Sequence, residues 1–150
     1  MRYSITCILL FLTTVLSAQL NPVKWTTNFK KLGNNKLEIT FNAKVDAGWS
    51  VYSQFLEGDD GPQPTTVFFE PNQDAVEIIK NKESTSNPAN RQEGMDKVFK
   101  TSLIKYKKDY TIKMRIKYQA LPVKGFLEFM CCDGTRCLPP KAVDFAYPAE

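Results

Sequence analysis

Three cysteines crowd into one run near the C-terminus, Phe129-Met130-Cys131-Cys132-Asp133-Gly134-Thr135-Arg136-Cys137-Leu138-Pro139-Pro140. Thiols at this spacing can pair, ligate a soft metal, or exchange with another disulfide. A bond closing a loop of about six residues removes little chain entropy, roughly 2 kcal/mol. A pair placed where it stabilises so little is better explained by exchange than by structure. The competing reading is a non-redox β-sandwich module for binding or assembly, with a structural disulfide. Staples in sandwiches, however, join the two sheets over long separations. A metal site built from Cys131, Cys132, Cys137 and Asp133 lacks a fourth soft ligand, and adjacent cysteines make awkward tetrahedral ligands. No metal and no other cofactor is expected.

Which cysteines pair depends on the turn between them. A two-residue turn at Gly134-Thr135 places glycine where a type II′ hairpin wants it. Asp133 then faces Arg136, and Cys132 faces Cys137 on a rung with Cα atoms about 4.5 Å apart, within disulfide range. A three-residue loop, Asp133 to Thr135, brings Cys131 opposite Cys137 instead. Alternation favours the first pairing. Cys131 shares a face with Leu127 and Phe129 and reads as a small buried residue, while Cys132 shares the more polar face with Glu128 and Met130. Both pairings stay open at this level.

Exchange needs a thiolate, and the chain contains no histidine. Ser-His and Cys-His dyads, a histidine general base and a His-containing zinc site are therefore excluded. The supports left are local. Arg136 precedes Cys137 and favours its thiolate. Asp133 opposes it, although an acid can also assist protonation of a leaving thiolate. Trp49 and Tyr52, in the aromatic-rich stretch Gly48–Gln54, supply bulk that would keep thiols away if the fold sets them beside the pair.

These groups must be held by strands. Leu37, Ile39, Phe41, Ala43 and Val45 alternate with polar residues, as do Tyr110, Ile112, Met114, Ile116 and Tyr118, the pattern of half-buried antiparallel strands. Shorter strands are expected at Val23–Phe29, Trp49–Gln54, Thr66–Glu70, Val76–Lys80, Val98–Lys105, Gly125–Cys132 and Ala142–Tyr147. Gly33-Asn34-Asn35, Asp46-Ala47-Gly48, Asp59-Asp60-Gly61-Pro62, Pro71-Asn72 and Asp133-Gly134 punctuate them. Eight or nine short strands at this spacing predict an all-β, immunoglobulin-like antiparallel β-sandwich. Glu57–Pro64 and the long polar stretch Asn81–Glu93 read as surface loops.

Arg2, an apolar run from Ile5 to Leu16 and the exit Leu16-Ser17-Ala18 read as a secretory signal peptide, residues 1–18, too short to span a bilayer. Cys7 would leave with it. The mature domain, 19–150, is then exported to a compartment where cysteines can pair. The formal charge of +4 comes from lysines scattered among acids, which argues against nucleic-acid binding. No second apolar span is present, so no membrane insertion is expected.

The run Cys132-Asp133-Gly134-Thr135-Arg136-Cys137-Leu138-Pro139-Pro140, with Phe129 three residues ahead of it, resembles a known active-site hairpin. It is that of the N-terminal periplasmic domain of the thiol–disulfide interchange protein DsbD, in its Bacteroidetes-like version. Gly48–Gln54 and Gly61-Pro62-Gln63-Pro64-Thr65 are similar to segments of the same family, and the likeness covers most of the mature chain. The resemblance implies an immunoglobulin-like domain with one redox pair, a thiol–disulfide oxidoreductase of the periplasm. Cys137 would form mixed disulfides with partners and Cys132 would resolve them. Electrons would arrive from a thioredoxin-like domain of a transmembrane carrier. They would leave to periplasmic disulfide isomerases and to the Cys-x-x-Cys thioredoxins of cytochrome c biogenesis. A cap loop within Asn90–Asp96, including Met95, would shield the disulfide. The chain would be a free-standing version of that domain or a domain excised from a longer protein.

Overall fold

Alternation builds the central pair of strands. In a computed structural model that describes residues 20–56, 61–70 and 75–148, strands β2 (Lys36–Val45) and β8 (Asp109–Tyr118) pair antiparallel. Their apolar residues Leu37, Ile39, Phe41, Ala43, Tyr110, Ile112, Met114 and Ile116 are all buried. The expected signal peptide and the turns at Asp59-Asp60 and Pro71-Asn72 lie outside the described residues.

The other strands are β1 (Val23–Gly33), β3 (Ser50–Tyr52), β4 (Thr66–Glu70), β5 (Val76–Ser84), β6 (Arg91–Met95), β7 (Ser102–Tyr106), β9 (Val123–Phe129), β10 (Cys131–Cys132) and β11 (Lys141–Tyr147). Among the described residues they form three antiparallel sheets, ordered β1-β2-β8-β5, β10-β3-β7-β6 and β11-β9-β4. The first sheet packs on the third through aromatic contacts such as Phe41–Phe145 at 5.2 Å and Trp25–Phe129 at 5.6 Å. The second sheet adds Val51, Tyr106 and Cys131 to the same core. This is the antiparallel β-sandwich expected from the pattern.

Two local features follow directly from residue type. Asn34 and Asn35 both have positive φ, 49° and 54°, the geometry of a type I′ turn, which asparagine tolerates well. Gly125 of β9 leaves no room for a side chain, since a Cβ there would collide with the Phe68 carbonyl oxygen and the Phe145 ring.

Three expectations need correction. Asn81–Glu93 is not a loop: β5 continues to Ser84 along β8, a single 3-10 turn spans Pro88–Asn90, and β6 begins at Arg91. Both segments are sheet edges with mostly exposed side chains, so their polar composition hides strand pairing. Val98–Lys105 is not one strand either, because Asp96–Thr101 is a turn and β7 begins at Ser102. The expected strand Gly125–Cys132 divides at Met130, where the chain passes from the third sheet to the second.

Candidate functional site

The hairpin after β10 is latched by Asp133. Its backbone N–H donates to the Arg136 carbonyl at 3.0 Å, and Gly134 takes the positive φ of 92° that a two-residue turn of this type requires. Cys132 and Cys137 stand opposite each other with Cα atoms 4.1 Å apart and are disulfide-bonded. The Asp133 carboxylate accepts hydrogen bonds from Thr135 N and Oγ1 at 2.9 and 2.7 Å, and from Arg136 N and Nε at 2.9 and 3.2 Å. The Thr135 hydroxyl and the Arg136 and Thr135 amides hold this carboxyl well below the usual carboxylate range.

Arg136 does not stand free beside Cys137. Its guanidinium meets Asp133 and lies 5.9 Å from the centroid of the Trp49 ring. The charge expected to favour the Cys137 thiolate is thus shared with a carboxylate and an aromatic face.

The two adjacent cysteines face opposite ways. Cys131, opposite Val51 of β3, is a free thiol in the main core and 2% exposed. Burial pushes that thiol up. Cys132 was expected on the more polar face, yet it is 5% exposed and sits in a second apolar cluster with Tyr52 and Leu103. Leu56, Phe99, Met130 and Cys137 pack against this cluster. The face is covered because the Asp96–Thr101 turn brings Phe99 edge-on to Tyr52, centroids 6.3 Å apart. Cys137 keeps intermediate exposure, so the disulfide presents one sulfur more than the other.

Asp96 organises that turn. Its carboxylate accepts from the backbone N–H groups of Val98 and Phe99 at 2.9 and 3.3 Å and from Lys105 Nζ at 2.9 Å. Burial alone would raise its pKa. The Lys105 ammonium and the two amides outweigh burial and hold Asp96 below its ordinary 3.8. Asp96 therefore contributes stability that is full above pH 3.8 and is lost as the pH falls through its folded-state pKa. We expect Asp96→Asn to lower stability at neutral pH by about 1–2 kcal/mol, the scale of a charge-assisted hydrogen bond. In denaturant titrations across the acid range, wild type and variant should converge as Asp96 protonates.

Asp96, Lys105, Ser50, Tyr52, Cys132 and Cys137 line one cleft of about 80 Å³. Burial, then the charges of Asp96 and Cys131, push the Tyr52 phenol upward, so it stays protonated at neutral pH. Of the predicted supports, Tyr52, Asp133 and Arg136 line this cleft, and Trp49 lies beneath Arg136. Met95 does not. It is 73% exposed on the edge strand β6 and lines a separate hollow with Arg91, Gln92, Glu93 and Leu103. Sequence reasoning missed Asp96, Phe99 and Lys105. The usable signal was an aspartate followed by Lys97-Val98-Phe99-Lys100, a turn-initiating residue ahead of apolar residues between lysines.

No protein-family model matches the chain, and no curated protein matches it. Solved structures do. The N-terminal domain of DsbD from Neisseria meningitidis, in its reduced form, is similar with a TM-score of 0.54 and 15% identity, over 81% of this chain and 82% of that one. The N-terminal periplasmic domain of ScsB from Proteus mirabilis is similar with a TM-score of 0.51 and 13% identity, over 83% of this chain and 43% of that one. The likeness shows the fold: the chain is an antiparallel β-sandwich with the immunoglobulin-like fold of the DsbD N-terminal domain.

Proposed function

We propose that this protein is an exported, periplasmic thiol–disulfide exchange domain that works through Cys132 and Cys137. The observation that carries the reading is a short-range disulfide with one cysteine buried and the other of intermediate exposure, on a hairpin under an apolar cover. The resemblance of the hairpin sequence and the likeness of fold to DsbD and ScsB domains support it. The expected leader supports export, and among the described residues no helix is long and apolar enough to cross a membrane.

In the reducing direction, a partner's Cys-x-x-Cys thiolate attacks Cys137 Sγ, and the Cys132–Cys137 bond breaks. Cys132 leaves as a thiolate and takes up a proton. The partner's second thiolate then attacks its own first sulfur, which releases Cys137 and leaves the partner oxidised. In the opposite direction, the Cys137 thiolate opens an oxidised partner. Cys132 then attacks Cys137 Sγ, so the disulfide re-forms and the partner departs reduced. Two electrons and two protons move per cycle. The electron donor is the thioredoxin-like part of a transmembrane carrier. The acceptors are periplasmic disulfide isomerases and thioredoxin-like proteins of cytochrome c biogenesis.

Equilibration against glutathione buffers, with thiol trapping and mass readout, tests this. The pair should titrate above the roughly −300 mV below which structural disulfides tend to lie. It should also be reduced by a reduced thioredoxin. A lower potential, with no exchange against thioredoxin, would establish the structural-disulfide module in its place.

A further inference from the structure

Away from the disulfide, one carboxylate carries an unusual load. Glu83, at the end of β5, accepts from Ser53 Oγ at 2.6 Å and Tyr106 OH at 2.9 Å on one oxygen. On the other it accepts from Tyr110 OH at 2.7 Å and the Gln54 backbone N–H at 3.2 Å. The two tyrosine rings stack at 4.2 Å and are buried. Ser53 is wholly buried, and Gln54 and Asn81 exchange side-chain hydrogen bonds at 3.0 and 2.7 Å beside it. Glu83 belongs to the first sheet. Ser53 and Gln54 follow directly on β3, and Tyr106 belongs to β7, both strands of the second sheet. The carboxylate therefore ties the two sheets together where β3 ends.

The position of that tie matters because of what β3 holds. It is three residues long and pairs through two rungs on each side, Val51 with Cys131 and Ser50 with Cys132 of β10, and Val51 with Tyr106 and Tyr52 with Lys105 of β7. β10 is an edge of its sheet and touches no other strand there. Tyr52, the residue before Ser53, packs under Cys132. So few ladder bonds cannot fix a strand by themselves. Glu83 adds a side-chain tie to the bonds already at this exit, Ser53 N–H to the Ile104 carbonyl at 3.0 Å and the Thr65 hydroxyl to the Tyr52 carbonyl at 2.6 Å, and so steadies Tyr52 against the cysteine hairpin.

We infer that Glu83 is a positioning residue for the redox pair, holding β3 so that Cys132 stays sealed against small thiols. This rests on the exchange reading for its functional meaning, but its test needs no partner protein. The rate at which dithiothreitol reduces the disulfide is measured in the whole mature protein. Ile116→Val, a core change toward the other end of β8, serves as a control matched for loss of thermal stability. Glu83→Ala should be reduced about tenfold faster than wild type, the factor set by losing a charge-assisted hydrogen bond. Glu83→Gln, which keeps one oxygen for Ser53 and Tyr106, should fall between the two. The matched Ile116→Val protein should react at the wild-type rate.

If Glu83→Ala does not fold, Ser53→Ala and Tyr106→Phe each remove one donor and should give smaller accelerations in the same direction. Equal rates in wild type and Glu83 variants, or an acceleration no larger than in the matched control, would overturn the inference. Failure of the wild type to exchange with thioredoxin, with the dithiothreitol difference intact, would instead sink the exchange reading and leave the positioning role standing.

Discussion

Cys132→Ala is expected to accumulate as stable mixed disulfides with thioredoxin-like proteins, whereas Cys137→Ala should trap few or none. Cys137 is the more exposed cysteine of the pair, and Cys132 is 5% exposed in the cluster with Tyr52 and Leu103. A lone thiolate at 137 can reach a partner's disulfide but has no second thiol to resolve the product. A lone thiol at 132 is shielded by the same cluster that covers the oxidised bond. Both variants should lose all catalytic turnover while losing at most about 2 kcal/mol of stability, the loop-closure contribution. Non-reducing gels of protein isolated from cells, with thiols alkylated at lysis, would show the adducts. Adducts formed chiefly by the Cys137→Ala protein would reverse the roles of the two sulfurs. Adducts through Cys131 would require the buried core thiol to emerge, which its place among Leu127, Phe129 and Val51 argues against.

The largest effect on folding is expected at Gly125. Gly125→Val introduces a side chain against the backbone carbonyl of Phe68 on β4 and the ring of Phe145 on β11. The ring can turn aside. The carbonyl cannot, because it belongs to the strand paired with β9 on one side while β11 pairs on the other. Overpacking a core usually costs about 1–3 kcal/mol, and a clash with backbone between two paired strands belongs at or above the top of that range. A fall in melting temperature of roughly 10 °C or more follows for a domain of this size. Thermal unfolding followed by circular dichroism measures it. A drop of only a degree or two would mean that β4 can separate from β9 without loss to the core.

The central strands were legible because both rest on strict alternation over nine or more residues with one face buried, as in Leu37–Val45 and Tyr110–Tyr118. The cysteine hairpin was legible for a different reason. Gly134 admits few turn types, and the turn sets the rung on which cysteines meet. What stayed hidden was tertiary. Cys132 alternates onto a face with Glu128 and Met130, and that face is made apolar by Tyr52 and Leu103 of other strands and by Phe99 from the Asp96–Thr101 turn folding back. Phe99 sits between lysines and gives no period, so it read as part of a strand. The family resemblance pointed to Met95 as a shield, but Gly94 and Met95 lie on the solvent edge of β6, opposite Leu103 and Ser102. The Glu83 clamp lay in a stretch whose polarity suggested a loop, since hydrogen bonding between sheets leaves no mark on hydrophobic periodicity.

Asp133 has a consequence for reversibility. Its four side-chain hydrogen bonds and its N–H bond to Arg136 close the hairpin without any help from sulfur. When the disulfide is reduced, the turn has its own latch, and the two thiols remain facing each other at high effective concentration. Loading and unloading a pair of electrons then requires little rearrangement of the chain. Under the exchange proposed above, such a hairpin would serve as a shuttle, handing its charge on and returning to the same shape, and not as a spring that discharges once.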